Sequence, residues 1–249
     1  MADFNSMTER LLVDAGITSG MRVIDIGCGS GEVSLLLARL VGEGGQVLGI
    51  DRDAQSLTTA RERAHDQNRH NVSFLQCELS EPVPGLVQFD AIVGRRVLMY
   101  LPNPVDAIRC LITALRPSGV VVFQESDSTM VPGRLAPLPL HDQVIGWMWQ
   151  TVEREGANIH MGFDLPSVLD QAGLIVEHVR AEAVIQGQDT HPPLAHIVRA
   201  MLPRIIKHGV ADEKEMDIET LEQRLAAERL AANSVYVSDM AFGAWARKP

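Results

Sequence analysis

Along the first half of the chain, short runs of consecutive apolar residues alternate with stretches in which apolar residues recur every three or four positions. The first pattern fits strands buried on both faces and the second fits amphipathic helices, so their alternation predicts a parallel sheet covered by helices. Met21–Ile26 reads as the first strand, followed by a glycine turn and a helix over Glu32–Leu40 with Val33, Leu36, Leu37 and Leu40 on one face. Gln46–Ile50 is a second strand. Asp53 then caps a helix to about Gln67, with Leu57, Ala60 and Ala64 on one side and Arg61, Glu62 and Arg63 facing water. Val72–Gln76 and Phe89–Gly94 are the third and fourth strands. Asn103 and Pro104 supply a cap and a first-turn proline for a helix carrying Ile108, Leu111, Ile112 and Leu115 until Pro117 stops it; Gly119 turns the chain into a fifth strand, VVVFQE.

The regularity breaks from Met130, where Pro132, Pro137 and Pro139 precede a helix with Ile145, Trp149 and Val152 as its apolar stripe. A helix over Asp164–Gln171 closes at Gly173, and Leu174–Ile185 carries a strand. Two further helices are expected at Pro193–His208, with a kink at Pro203, and at Asp217–Ala232; Val235–Ala246 ends the chain as a strand. The acidic run at 212–219 reads as a solvated helix entrance.

Composition narrows the function. With 249 residues, 46% hydrophobic and 22% charged, the chain can bury one large α/β core, which excludes disorder, collagen and coiled coil. A formal charge of −10 opposes a general phosphate-backbone binder, so no nucleic-acid partner is expected. Cys28, Cys77 and Cys110 are odd in number and lack CxxC spacing, which fits a reducing compartment and neither a disulfide framework nor a zinc site. The first residues carry Asp, Glu and Arg where a secretory leader needs an apolar run, and no stretch has the length of a membrane span. A soluble cytoplasmic protein with no membrane partner is expected.

The sharpest chemical feature is V-I-D-I-G-C-G-S-G at 23–31, between a predicted strand and a predicted helix. Glycines there let the backbone turn tightly and let a ligand rest against the peptide groups. Asp51 closes the second strand twenty residues after Gly31, where a carboxylate can accept from two ribose hydroxyls. The third glycine of a dinucleotide loop would fall at Glu32, so a pyrophosphate would meet a carboxylate at the helix start; this argues against NAD.

The G-x-G-x-G spacing after Asp25 resembles motif I of the class I S-adenosylmethionine-dependent methyltransferases, small-molecule type. Similar features follow in Q-C-E-L at 76–79, in F-D-A-I-V-G-R-R-V after the fourth strand, in Leu115, Pro117 and Gly119 before the fifth, and in G-F-D-L-P-S-V-L-D-Q-A-G-L at 162–174. The resemblance implies a Rossmann-like α/β fold: a seven-stranded, mostly parallel sheet with helices on both faces and an antiparallel C-terminal strand. It further implies a single methyltransferase domain over 1–249 with lid insertions at about 130–162 and 188–232, and S-adenosyl-L-methionine as cofactor with S-adenosyl-L-homocysteine as product. Carried over position by position, Asp25, Gly27, Cys28 and Gly29, in the loop that Gly31 closes, surround the methionine part and Asp51 the ribose. Arg52 covers one adenine face, Glu78 meets the adenine amino group, Leu79 flanks the ring, and Gly94 and Arg95 lie near the methionine amino group. Arg52 stands where a hydrophobic residue often stacks and Glu78 where Asp is frequent.

Methyl transfer is an in-line displacement, so the protein supplies alignment, exclusion of water and, for a protonated acceptor, a base. His141, His160, His191 and His196 are candidate bases because imidazole titrates near neutrality, and Glu125, Asp127 and Tyr100, at or just past the C-terminal ends of predicted strands, are candidates for the pocket wall; His141, His160, Glu125 and Tyr100 form the set of catalytic candidates. Trp147, Met148, Trp149, Met161 and Met201 suit either an apolar lid or ordinary helix packing, and an exposed set of them would serve equally as a homodimer contact. Arg134, Arg199, Arg204 and Lys207 raise an anionic acceptor, although a solvated face explains them as well. The expected function is transfer of a methyl group to an O, N or C atom of a small-molecule metabolite in biosynthesis. The alternative is a cyclisation or rearrangement promoted by the bound cofactor without methyl transfer.

Overall fold

A computed structural model describes residues 4–79, 88–129 and 133–249. Its chain divides into two compact units, one of residues 2–127, 160–182 and 241–249, the other of residues 128–159 and 183–240. The expected irregularity at Met130 and Pro132 lies outside the described residues.

The sheet's described strands are β1 (Arg22–Ile26), β2 (Gln46–Asp51), β3 (Val72–Gln76), β4 (Phe89–Arg95), β5 (Leu115–Ser126), β6 (Ile175–Gln186) and β7 (Tyr236–Arg247); all lie in the larger unit except residues 183–186 of β6 and 236–240 of β7, which fall in the other. They lie in the order β3-β2-β1-β4-β5-β7-β6, with β1 to β5 parallel to their neighbours and β7 antiparallel to β5. The chain steps outward from β1 to β3 and then returns to β4 on the other side of β1. That reversal opens a crevice at the C-terminal ends of β1 and β4, where open α/β sheets bind ligands.

Alternation along the strands explains how both faces are covered. Val23, Val47, Ala91, Val93, Val120 and Val122 face a buried cluster with Leu11 and Leu12 of α1 (Phe4–Asp14) and Val33, Leu37, Ala38 and Val41 of α2 (Glu32–Val41). Truncating a fully buried member such as Leu37 to Ala would cost about 2–5 kcal/mol. Residues of opposite parity, among them Ile24, Ile92, Val121 and Phe123, are equally buried. Beyond α3 (Ala54–Asp66), capped by Asp53 as expected, α4 (Pro104–Leu111) and α6 (Met161–Gln171) pack together, with α6 on β5.

In the other unit, α5 (Pro139–Arg154), α7 (Leu194–Lys207) and α9 (Leu221–Ala232) pack on one another, and α8 (Glu213–Met216) is a single turn. Trp147 and Met201 are buried in this unit and Met161 in the larger one, so these side chains serve packing.

Three expectations need correction, and α1 is a helix that the sequence pattern does not predict. The helix before β5 ends at Leu111, and a 3-10 turn over Ile112–Ala114 leads directly into Leu115, which already pairs with Phe89. Pro117 disfavours helical backbone at Arg116, and the Lys248 ammonium takes up the freed carbonyls of Ile112 and Leu115 at 2.7 and 2.8 Å. The buried face of α5 is His141, Val144, Trp147, Thr151 and Val152, rotated from the expected stripe because a histidine and a threonine belong to it. The helix expected from Asp217 begins at Leu221, since Asp217 is left-handed (φ 41°) and ends α8 instead.

Candidate active site

Strand register carries the motif residues to one edge of the sheet. Ile26 is level with Ile50 and with Gly94, Asp51 with Gln76, and Arg95 with Gln124. The glycine loop, Asp51, Glu78, Arg95 and Glu125 therefore leave the sheet at its C-terminal edge.

The three loop glycines are all left-handed, at φ 61°, 51° and 82° for Gly27, Gly29 and Gly31, but for different reasons. A Cβ on Gly27 would lie 2.5 Å from Val97 Cγ2, and one on Gly31 would lie 3.0 Å from the Ala60 Cβ. A Cβ on Gly29 would meet nothing within 4 Å. Two glycines thus serve packing of the protein on itself, while the third leaves bare backbone facing open space. Gly94 repeats the packing logic, its absent Cβ being replaced by Phe123 and Val97.

Asp51 is fixed by two backbone donors: Gly29 N–H reaches Oδ2 at 2.8 Å and Asp53 N–H reaches Oδ1 at 2.9 Å. A carboxylate has about four acceptor positions, so each oxygen keeps a lone pair for a further donor. Cys77 N–H donates to the Asp51 carbonyl and the Gln76 amide to the Arg52 carbonyl, tying β3 to β2 immediately before Glu78. Glu78 and Arg52 are exposed and Leu79 is buried.

Two buried carboxyls flank the loop on opposite faces of the sheet. Asp25 accepts the Ser34 hydroxyl at 2.5 Å; burial pushes its pKa up to about 7 despite that hydrogen bond and the nearby Arg95 charge. Glu125 accepts the N–H groups of Val97 and Leu98 on Oε1 at 3.1 and 2.9 Å, and burial again pushes it up to about 7 against those donors. Cys28 is buried, and desolvation, reinforced by Asp25 and Asp51, drives its thiol far above the ordinary range, so it is inert as a nucleophile.

Arg95 is engaged with Glu32 at the first turn of α2 and with Asn5 and Thr8 of α1. Burial works to raise the Glu32 pKa, but the Asn5 hydrogen bond and the Arg95 charge outweigh it and hold the carboxyl below its usual range. The carboxylate that spoils a dinucleotide loop is here an anchor for Arg95.

The acid–base candidates separate. His160 is half exposed, with Nδ1 3.8 Å from the buried Asp127 carboxylate, which also accepts Phe163 N–H. Tyr100 is exposed at the end of a 3-10 turn over Leu98–Tyr100. His141 lies in the helical unit, fully buried. Residues that the sequence pattern did not single out are Val97, the common packing partner of Gly27 and Gly94, and Ser34, Asn5 and Thr8. Ser34 was detectable as a polar residue on the apolar face of α2.

Comparison with known proteins agrees with this geometry. A methyltransferase domain family matches residues 17–191. The ubiquinone biosynthesis O-methyltransferase of Acinetobacter baumannii (strain AYE) is 31% identical over 112 residues, 44% of this chain and 45% of that protein. The aklanonic acid methyltransferase DauC of Streptomyces sp. (strain C5) is 29% identical over 140 residues, 54% of this chain and 64% of that protein. The chain thus spans roughly half the length of the curated relatives it matches. Among solved structures, the 4+2 cyclase SpnF superposes with a TM-score of 0.63 at 23% identity, covering 98% of this chain and 81% of that one, a likeness of fold. Among the described residues, no helix is long and apolar enough to cross a membrane. With the glycine loop, the sheet order and the match over most of its length in agreement, the chain belongs to the methyltransferase domain family, of the class I S-adenosylmethionine-dependent kind.

Proposed function

We propose that the chain transfers a methyl group to an O, N or C atom of a small-molecule metabolite in a biosynthetic pathway. The observation that carries this reading is the pairing of open backbone at Gly29 with an Asp51 carboxylate locked against that same backbone. When bound, S-adenosylmethionine supplies an electrophilic methyl group. Asp51 takes the ribose hydroxyls on its free lone pairs, and Glu78, exposed two residues past β3, takes the adenine amino group with Arg52 and Leu79 beside the ring. Asp25, Gly27, Cys28 and Gly29 line the methionine end, and Gly31 closes the loop into α2. Gly94 keeps the end of β4 narrow there, and Arg95 holds α1 against it. The names of the relatives, an O-methyltransferase of ubiquinone biosynthesis and a methyltransferase of aklanonic acid, favour a small organic acceptor.

For an acceptor that must lose a proton, His160 is the base in this reading. Its imidazole is accessible and has a buried carboxylate, Asp127, behind it to hold the ring and stabilise the imidazolium. The 3.8 Å separation is expected to tighten with acceptor bound.

The test is to offer methyl-labelled S-adenosylmethionine with a metabolite extract. Label in small organic products, reduced strongly by His160→Ala, supports the reading. A product of unchanged mass would point to cyclisation, and label remaining entirely on the cofactor would overturn methyl transfer.

A further inference from the structure

The end of β5 grips the chain at three consecutive residues as it leaves β4. The two strands last pair at Arg95 and Gln124. Beyond that pair the Arg96 N–H donates to the Gln124 carbonyl at 2.8 Å, and the N–H groups of Val97 and Leu98 both donate to Glu125 Oε1, at 3.1 and 2.9 Å. The Arg96 side chain adds a further tie, its Nε reaching Ser126 Oγ at 3.2 Å. Backbone is held here against its preference: Arg96 is left-handed at φ 53°, which is uncommon for a residue with a side chain. Strain of this kind persists where surrounding bonds over-determine it, and it concentrates at functional sites.

What the grip positions is Val97. Its side chain takes the space that a Cβ on Gly27 or on Gly94 would need, through Cγ2 at 2.5 Å and Cγ1 at 2.8 Å respectively. One valine is thus wedged against both the first glycine of the cofactor loop and the end of β4. Two residues on from Gly27, Gly29 presents bare backbone and locks Asp51 through its N–H. A shift of Val97 therefore shifts the backbone that holds Asp51. Packing alone does not account for the choice of a carboxyl as the grip. Glu125 is buried, and its Oε2 has no hydrogen-bond partner among the described residues. Buried polar atoms are normally paired, so an unpaired one calls for a reason in what the rest of the group does.

We propose that Glu125 is a positioning residue for the cofactor: by accepting from Val97 and Leu98 it seats Val97 against Gly27, and so sets the geometry in which the glycine loop binds. In this role it touches no reacting atom and is not a base. The inference rests on the cofactor site of the proposed function and is independent of the methyl acceptor.

The experiment is calorimetric titration of the full chain and its variants with S-adenosylhomocysteine, alongside Tm. Glu125→Met keeps the length of the side chain but removes the acceptor for both N–H groups, and the folded protein should bind about tenfold more weakly. Glu125→Gln, whose amide oxygen still accepts, should bind within about threefold of the wild type. Val97→Ala loses no hydrogen bond, so it tests the wedge even if Glu125→Met does not fold, and it should weaken binding about tenfold as well. Because the two residues act through one contact, the double variant should bind no more than about threefold more weakly than Glu125→Met alone. A purely structural Glu125 would lower Tm in Glu125→Met and leave the affinity of the folded protein unchanged, and that result would overturn the proposal. So would wild-type affinity in Val97→Ala, an equal loss in Glu125→Gln, or fully additive losses in the double variant. Failure of the wild-type chain to bind S-adenosylhomocysteine would overturn the cofactor site and this role with it, whereas wild-type binding matched by Glu125→Met would overturn this role alone.

Discussion

Substituting alanine at Gly27 and at Gly29 separates folding from binding within a single loop. Both residues are left-handed, a conformation that costs an alanine about 1 kcal/mol. At Gly29 that is the whole cost, since the new methyl group meets no protein atom within 4 Å. At Gly27 the methyl group would arrive 2.5 Å from Val97 Cγ2, and overpacking adds ~2 kcal/mol. For a chain of this size the expected fall in Tm is about 2–4 °C for Gly29→Ala and about 6–12 °C for Gly27→Ala. Cofactor affinity should follow the opposite order in cause: Gly29→Ala stays folded yet binds S-adenosylhomocysteine at least tenfold more weakly, because its methyl group fills ligand space. Differential scanning fluorimetry gives the first quantity and calorimetry the second. A Gly29→Ala protein with unchanged affinity would show that the open space beside Gly29 is not where the cofactor lies, and the reasoning would fail.

Asp51→Asn turns one N–H acceptor into a donor that faces Gly29 N–H or Asp53 N–H, so S-adenosylhomocysteine affinity should drop at least tenfold while circular dichroism shows the fold retained. Glu78→Ala should weaken the cofactor with little change in Tm, its side chain being exposed; equal affinity would remove Glu78 from the adenine site. Glu125 has its pKa raised from 4.5 to about 7 in the fold, so the native state binds the extra proton and stability falls as pH rises from about 4.5 through 7, by about 3 kcal/mol for this group. In Glu125→Gln, whose amide oxygen still accepts from Val97 and Leu98, that part of the decline should vanish, as denaturation series at several pH values would show; parallel curves for the two proteins would refute it. Lys248→Met strands the carbonyls of Ile112 and Leu115 and should cost about 1–2 kcal/mol, measurable by urea titration.

The elements read most accurately from the sequence were those with local chemistry. Val72–Gln76 coincides with β3 because a five-residue run holding Val72, Phe74 and Leu75 is too short for a helix, and Asp53 caps α3 through its own Ser56 and Gln55 contacts. The glycine loop and Asp51 stood out because backbone conformation and strand position are both encoded within a few residues. What escaped depends on partners distant in sequence. The α1 helix has its apolar Met7, Leu11 and Leu12 among polar residues, and its purpose is visible only where Thr8 meets Gln124 and Asn5 meets Arg95. The face of α5 was misjudged because the buried His141 depends on Glu228 for its partner, 87 residues away. Arg134 gave no sign of differing from Arg204, yet Arg204 pairs with Glu155 at the surface while one Arg134 nitrogen is buried and unspent.

The most direct test of the central claim is calorimetric titration of the purified chain with S-adenosylmethionine, S-adenosylhomocysteine and NAD side by side. The account predicts micromolar binding of both adenosyl compounds, roughly −8 kcal/mol, and none of NAD. Binding of NAD alone would mean that Glu32 and its Arg95 partner do not exclude a pyrophosphate, and it would contradict the assignment of this loop.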